Sequence, residues 1–209
     1  MDFGWKSDRF DSGLTYLDIG ERFNAEMGYI PRTDVRTTKA SAAWTPRPRW
    51  AGVRQLRLGG TASYFENHAG RVESRNQGLE FTINRQDGAI VQVSLDRDYD
   101  YLPYDWQTAG AVIPIGGYSW STVRASYSSD QSRRVYGSFG VDLGGYYGGD
   151  KQTYRASFDF LPLETLLVEN SFTHNRITLA GADPYSTNVV STRVSYSFSP
   201  DLFLKTYVQ

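Results

Sequence analysis

The chain has 209 residues, a formal net charge of −1 and an isoelectric point near 6.1. A near-neutral chain lacks the basic surface that nucleic-acid binding requires, so no nucleic-acid partner is expected. The absence of cysteine excludes a disulfide framework and thiolate metal sites, and two histidines are too few for a histidine-rich metal site. We therefore expect no cofactor.

Aromatic residues make up 15 % of the chain, which contains 15 tyrosines and 20 glycines but only 2 methionines. This composition favours β-strands, because aromatic side chains suit a pleated sheet and glycine serves turns and bulges. The longest apolar run, AGAVIPIGG, has about half of the ~20 residues that a transmembrane helix needs. No transmembrane helix is predicted.

Apolar and polar side chains alternate with a period of two along most of the chain. In one stretch, for example, Leu79, Phe81 and Ile83 alternate with Glu80 and Thr82. Such alternation predicts antiparallel strands that have one apolar and one polar face. In chain order, the predicted strands are 11–19, 34–45, 53–66, 72–85, 89–101, 118–129, 135–146, 151–161, 166–177, 187–199 and 202–209.

These strands are long, and the connections between them alternate in length. Most strands have roughly 10 to 13 residues, and a tilted strand needs about 9 to 11 to cross a bilayer. One set of connections is short, as in RQDG and SPD, and the other is longer or glycine-rich, as in 20–33, 102–117 and GGYYGGDK. Short turns at one end and longer loops at the other are typical of bacterial outer-membrane barrels.

Aromatic residues lie near many of the predicted strand ends, as the two aromatic girdles of a membrane barrel require. They are Trp44, Phe65, Tyr99, Tyr101, Tyr118, Trp120, Tyr127, Tyr146, Tyr147, Phe160, Tyr196, Phe198 and Phe203. The sequence therefore predicts an all-β fold, an antiparallel meander of about ten to eleven long strands that forms part of a transmembrane β-barrel. Residues 1–209 are expected to form one partial barrel domain.

The first and last predicted strands each have a neighbour on one side only. The strand near Leu14 and Tyr16 has no predicted partner before it, and the strand from Leu202 has none after it. An odd number of strands would make these two edges run parallel, whereas bacterial single-chain barrels normally have an even number. We therefore expect an open, curved sheet, and we interpret the chain as an internal fragment of a larger barrel.

One stretch, GERFNAEMGYIPRTDVRTTKASAAWTPRPR, resembles a known family. It is similar to the barrel region of large bacterial surface proteins that carry an N-terminal domain like family 9 carbohydrate-binding modules, and SPDLFLKTYVQ resembles a hairpin of that region. Ala25 stands where the family usually has proline. The matching residues are Phe23, Asn24, Glu26, Gly28, Tyr29, Arg32, Asp34, Trp44, Pro46, Arg47 and Pro48.

The resemblance implies an outer-membrane barrel and no defined chemistry. The carbohydrate-binding part of the family does not lie in this sequence, so the resemblance implies no sugar binding here. The partners it implies are outer-membrane lipid, the remainder of the barrel and an N-terminal periplasmic or surface domain.

Charged residues of both signs occur on the predicted polar face, and we expect them to line the lumen of the barrel. Mixed signs argue against a strongly ion-selective pore, but they suit either a water-filled channel or ion pairs inside a plugged barrel. The predicted lumen-lining residues are Arg57, Glu80, Asp96, Arg124, Asp142, Arg155, Asp159, Glu169 and Arg193.

Other candidate sites are better explained as structural. Asp96, Asp98 and Asp100 share a face and lie close enough to bind calcium with loop oxygens, but a solvated lumen rim explains them better, because nothing here matches an EF-hand loop. His68 and His174 have no evident nucleophile beside them. Glu26 and Asp34 of the motif loop could form an acid pair, but loop packing explains them better. The glycines 144, 145, 148 and 149 lack the lysine of a phosphate loop and predict a turn.

Two strand registers follow from the pattern. The apolar sets of strands 72–85 and 89–101 share a face only across a loop of odd length, which predicts Phe81 opposite Val93 and a left-handed Gly88. The same reasoning pairs Val141 with Ala156 and places Asp142 across from Arg155.

The favoured function is a channel or surface-anchoring barrel in the outer membrane of a Gram-negative bacterium, without catalysis in this segment. One alternative is an outer-membrane hydrolase with its site at the loop ends. The other is a soluble, secreted β-sheet protein that binds glycans through exposed aromatic residues.

Overall fold

The computed structural model describes residues 1–24, 26, 33–50, 52–108 and 111–209. Strands contain 74 % of these residues, and no helix occurs among them. The strands are β1 (Asp2–Lys6), β2 (Phe10–Ile19), β3 (Val35–Trp44), β4 (Val53–Glu66), β5 (Val72–Arg85), β6 (Ile90–Leu102), β7 (Trp106–Thr108), β8 (Ala111–Ile113), β9 (Gly116–Ser128), β10 (Val135–Tyr146), β11 (Gly149–Leu163), β12 (Leu166–Thr178), β13 (Tyr185–Ser199) and β14 (Leu202–Val208).

Within the described part of the chain, no helix is long and apolar enough to cross a membrane.

Twelve strands form one antiparallel sheet in the order β1-β2-β3-β4-β5-β6-β9-β10-β11-β12-β13-β14. Each strand therefore pairs with its neighbours along the chain, apart from the insertion of a small hairpin, β7–β8, between β6 and β9. The sheet is not closed, and β1 and β14 are its two edges. The predicted all-β antiparallel meander and the predicted open sheet are confirmed.

All eleven predicted strands occur, and over the described residues the structure adds three: the two short strands β7 and β8 and one strand at the start of the chain. Asp2–Lys6 pairs with β2, so that Phe3 lies opposite Leu14 and Trp5 opposite Ser12. The expectation that the strand near Leu14 lacks a partner on that side is therefore wrong. Over the described residues the sheet has twelve strands, an even number, so the argument that its two edge strands would run parallel does not hold.

The β5–β6 hairpin has the predicted register. Phe81 lies opposite Val93, and Gly88 has a φ of +86°. The backbone N–H of Arg85 donates to the carbonyl of Ala89 at 2.9 Å, which leaves the three residues 86–88 in the loop. Glycine is needed at position 88 because side-chain-bearing residues disfavour the left-handed conformation.

The predicted register of the β10–β11 hairpin is wrong by two residues. Val141 lies opposite Tyr154, not Ala156, because the connection is a two-residue turn of Tyr147 and Gly148. Both turn residues have positive φ, 45° and 82°, as a type I′ hairpin requires. Because side chains alternate between the two faces, a register error of two residues leaves each side chain on its predicted face.

The connections gather at two ends of the sheet, and we call these the long-loop end and the short-turn end. The long-loop end has connections 20–34, 67–71, 103–115, 147–148 and 179–184; the short-turn end has 7–9, 45–52, 86–89, 129–134, 164–165 and 200–201. The two longest connections lie at the same end, as predicted. Three connections depart from this division: 45–52 with eight residues and 129–134 with six at the short-turn end, and the two-residue turn at Tyr147 at the long-loop end.

Candidate functional site: the polar face of the sheet

The strand pairings divide the side chains of the sheet between two faces. The apolar face carries Leu79, Phe81 and Val93, and the polar face carries Glu80 and Ser94, which lie opposite each other. Following the pairings from strand to strand places every predicted charged residue on the polar face. These residues are Arg57, Glu80, Asp96, Arg124, Asp142, Arg155, Asp159, Glu169 and Arg193.

The first ion-pair group of the polar face joins three strands. The Arg57 guanidinium lies 2.9 Å from the Asp11 carboxylate and 4.0 Å from that of Glu80. Arg57 reaches Asp11 across β3, where the buried Ala43 leaves room for its side chain. Sequence reasoning missed Asp11, because only the β2–β3–β4 register brings it within reach.

The second group lies at the centre of the sheet and contains four of the predicted residues. The Arg124 guanidinium pairs with the carboxylate of Asp96 and lies 3.7 Å from that of Asp142. Arg155 contacts both oxygens of Asp142, at 2.5 and 3.0 Å. Acidic and basic side chains therefore alternate from β6 to β11, and each arginine faces at least one carboxylate.

The last group lies towards the β14 edge. Arg193 lies 3.6 Å from Glu169, which is directly opposite Asp159 in the β11–β12 pairing. Like charges placed directly opposite each other repel, so Arg193 offsets part of this repulsion. We call the three groups together the charge belt.

The β7–β8 hairpin covers the polar face at the long-loop end. Ala111 and Ile113 of β8 are buried against Ile177 and Leu179. Three partly buried tyrosines of the sheet, Tyr118, Tyr146 and Tyr185, pack around them. We call this hairpin the cap, because it lies across the end of the polar face.

Tyr147 fixes the cap region to the sheet. Its ring packs against those of Trp106 and Trp120, with centroids 5.4 and 4.8 Å away. Its hydroxyl donates to Asp100 at 2.5 Å. Burial, together with this hydrogen bond to a carboxylate, raises the pKa of Tyr147 well above its ordinary value.

The aspartate row that suggested a calcium site is divided among separate partners. Asp96 pairs with Arg124, Asp98 accepts from Asn76 at 2.7 Å, and Asp100 accepts from Tyr147. Among the described residues, no group of three or more His, Cys, Asp or Glu side chains is placed to hold a metal ion.

His68, interpreted from sequence as a structural loop residue, joins two carboxylates at the long-loop end. Its Nδ1 lies 2.7 Å from Asp34 and its Nε2 lies 2.8 Å from Asp18. Both carboxylates accept hydrogen bonds, so the contacts favour a doubly protonated ring. These contacts raise the pKa of His68 and lower that of Asp34.

The remaining histidine and the acid pair show no catalytic arrangement. His174 contacts Asn188 at 2.7 Å, and no hydroxyl in the described ranges bonds to either histidine. Glu26 is exposed, and Asp34 contacts His68. Of the family motif, Ala25, Gly28, Tyr29 and Arg32 lie outside the described residues.

No protein-family model, curated protein or solved structure matches this chain.

Proposed function

We propose that this sheet is part of the wall of a bacterial outer-membrane β-barrel, with its polar face towards a water-filled channel. The observation that carries the proposal is the separation of the two faces across the central strands β4–β6 and β9–β11, whose middle positions carry apolar side chains on one face and polar or charged ones on the other. Large apolar side chains remain exposed on the apolar face: Leu79 is 61 % exposed, Phe139 54 % and Phe158 54 %. Exposure of such an apolar face to water is energetically unfavourable, whereas contact with the hydrocarbon of a lipid bilayer is not.

Aromatic side chains on the apolar face lie at two levels. Trp44 and Tyr127 lie near the short-turn end, and Tyr16, Tyr64 and Tyr99 lie near the long-loop end. From Val91, which is opposite Tyr127, to Tyr99 is eight residues, or roughly 26 Å along the strand. This spacing supports a membrane span, because barrels have an apolar band about 25 Å tall between aromatic girdles.

The proposal assigns the long-loop end to the cell exterior, because bacterial barrels have short periplasmic turns and longer external loops. The bare edges β1 and β14 would pair with each other or with the remainder of the barrel, since lipid tolerates no unpaired edge. The family resemblance adds an N-terminal periplasmic or surface domain as a proposed partner. The charge belt would face water, and its mixed signs favour weak ion selectivity.

Two adjacent residues of β6 test the proposal, because they point to opposite faces. Val93 lies on the apolar face and is 43 % exposed, whereas Ser94 lies opposite Glu80 on the polar face. We expect Val93→Arg to prevent insertion into vesicles, since an arginine on the lipid face costs about 2 to 4 kcal/mol at the bilayer centre. Ser94→Arg should insert like the wild type.

The measurement is protease protection and heat-modifiable electrophoretic mobility after refolding into lipid vesicles. In a soluble sheet both positions are exposed to water, and both substitutions would be tolerated equally. Equal behaviour of the two variants would therefore contradict the proposal.

A further inference from the structure

A group of arginines lies on the apolar face where its apolar band ends towards the long-loop end. Leu79 and Leu95 lie opposite each other in the β5–β6 pairing, and the next outward pair along these strands is Gln77 and Arg97. The pair after that is Arg75 and Tyr99. Arg97 and Arg75 are thus diagonal neighbours, with Cα atoms about 7 to 8 Å apart, so both guanidinium groups can reach one anion.

The positive charge of this group is largely uncompensated. Neither Arg75 nor Arg97 forms an ion pair with a residue of the described ranges, whereas Arg36 on the same face pairs with Glu66 at 3.1 Å. The nearest carboxylate along β5, Glu73, lies 4.0 Å from Arg71. Three arginines and one glutamate give this patch a net charge of about +2 at neutral pH.

Aromatic rings hold two of these arginines in place. The Arg75 guanidinium lies 5.8 Å from the centroid of the Tyr99 ring, and that of Arg71 lies 4.7 Å from the Tyr101 ring. Such cation–π contacts orient a guanidinium without neutralising its charge, so its N–H donors stay available to an anion.

An open, shallow groove of about 500 Å³ lies on the apolar face and has Arg97 in its lining. Its walls include Leu79, Leu95 and Ala62, and Gln77 lies beside Arg97 at the polar end. The combination of a cationic end and an apolar trough matches an amphiphile with an anionic headgroup and a hydrocarbon chain. A free anion would use only the arginines, and a neutral lipid only the trough.

We propose that this groove binds one anionic membrane lipid, with its phosphate between Arg75 and Arg97 and an acyl chain along Leu79 and Leu95. Guanidinium groups suit phosphate because their N–H donors form paired hydrogen bonds to its oxygens. The inference rests on the proposed function, because it requires the apolar face to meet lipid, and it adds the class of lipid.

The test is native mass spectrometry of the full chain refolded into nanodiscs of phosphatidylcholine that contain a minority of phosphatidylglycerol. We expect the wild type to retain the anionic lipid several-fold above its share of the bilayer. The double variant Arg75→Gln/Arg97→Gln should retain it near that share. The control Arg54→Gln removes an exposed arginine at the opposite end of β4 and should behave like the wild type.

Equal retention by all three proteins would overturn the inference. Release of the lipid by inorganic phosphate alone would also overturn it, because the site would then be a plain anion site to which the trough adds nothing. Protease protection measured on the same samples separates the two proposals. A chain that fails to insert contradicts the proposed function, whereas one that inserts without lipid enrichment contradicts only this inference.

Discussion

His68 links three strands through its ring, because Asp18 belongs to β2, Asp34 immediately precedes β3 and His68 itself follows β4. Because the pKa of His68 is raised, its contacts stabilise the fold fully when the pH is below the ordinary histidine pKa of 6.5. That contribution is lost as the pH rises through the raised pKa. Asp34, whose pKa is lowered, contributes above its ordinary value of 3.8 and loses its contribution as pH falls through the lowered value. The link is therefore strongest between these two ordinary values.

Replacement of one carboxylate should be visible in the titration of the ring. We expect Asp34→Asn to lower the pKa of His68, because the Asp34 contact is the largest cause of its elevation. The measurement is an NMR titration of the His68 ring protons in refolded protein. Asp105→Asn is the control, since Asp105 bonds to the backbone N–H of Ile115 at 2.8 Å and not to His68; an equal effect of both variants would contradict the assignment.

At the scale of strand pairs, Asp142 and Arg155 illustrate how far the sequence specifies a sheet. Their ion pair was predicted and occurs, but the residues are diagonal neighbours and not directly opposite. The difference arises at Tyr147, which adopts a φ of 45°. Asparagine or glycine at that position would have indicated a two-residue turn. Tyrosine gives no such indication, so the sequence predicts a longer β10–β11 loop than the one that occurs.

A double-mutant cycle should measure this ion pair. We expect a coupling of about 0.5 kcal/mol between Asp142→Asn and Arg155→Gln in urea unfolding, because partly exposed pairs contribute little. Asp142→Asn alone should cost more than Arg155→Gln alone, since Asp142 also faces Arg124. The 4.0 Å pair of Arg57 and Glu80 should show a smaller coupling; a larger one there would contradict this ranking by distance.

The cap was not predicted, for a physical reason. Its two strands have three residues each, which is too few for an alternation pattern to identify. They are stabilised by packing against Ile177 and Leu179, which lie more than sixty positions further along the chain. The contacts of Asp11 on the polar face and of His68 at the long-loop end likewise depend on strand register, so neither residue could be assigned its partners from sequence.

Substitution of the buried side of the cap should loosen it. Ile113 is 4 % exposed, whereas its neighbour Val112 is 53 % exposed on the other side of β8. We expect Ile113→Ala to weaken the packing of the cap by about 2 kcal/mol or more. A loosened cap should increase proteolytic cleavage within 103–115 and raise the conductance of the protein in planar bilayers. Val112→Ala should leave both unchanged; if the two variants behave alike, the cap does not rest on this contact.

For the whole molecule, the open sheet and its exposed apolar face predict behaviour in solution. We expect the isolated chain to form inclusion bodies, because bare strand edges and an uncovered apolar face both favour aggregation. After refolding, size-exclusion chromatography should give a single species only when detergent is present. A monodisperse monomer that melts cooperatively without detergent would contradict the membrane interpretation.

The uninterrupted order of the sheet also bears on the rate and route of folding. Every ladder joins strands that are consecutive in the chain, except that the β7–β8 hairpin separates β6 from β9, so each pairing closes a short connection at a small entropic cost. Strands can therefore be added one hairpin at a time, and folding should be fast for an all-β protein, because its contacts are local in sequence. A pairing between β1 and β14 would be the exception, since it joins the most distant segments, and it would be the slowest step of assembly.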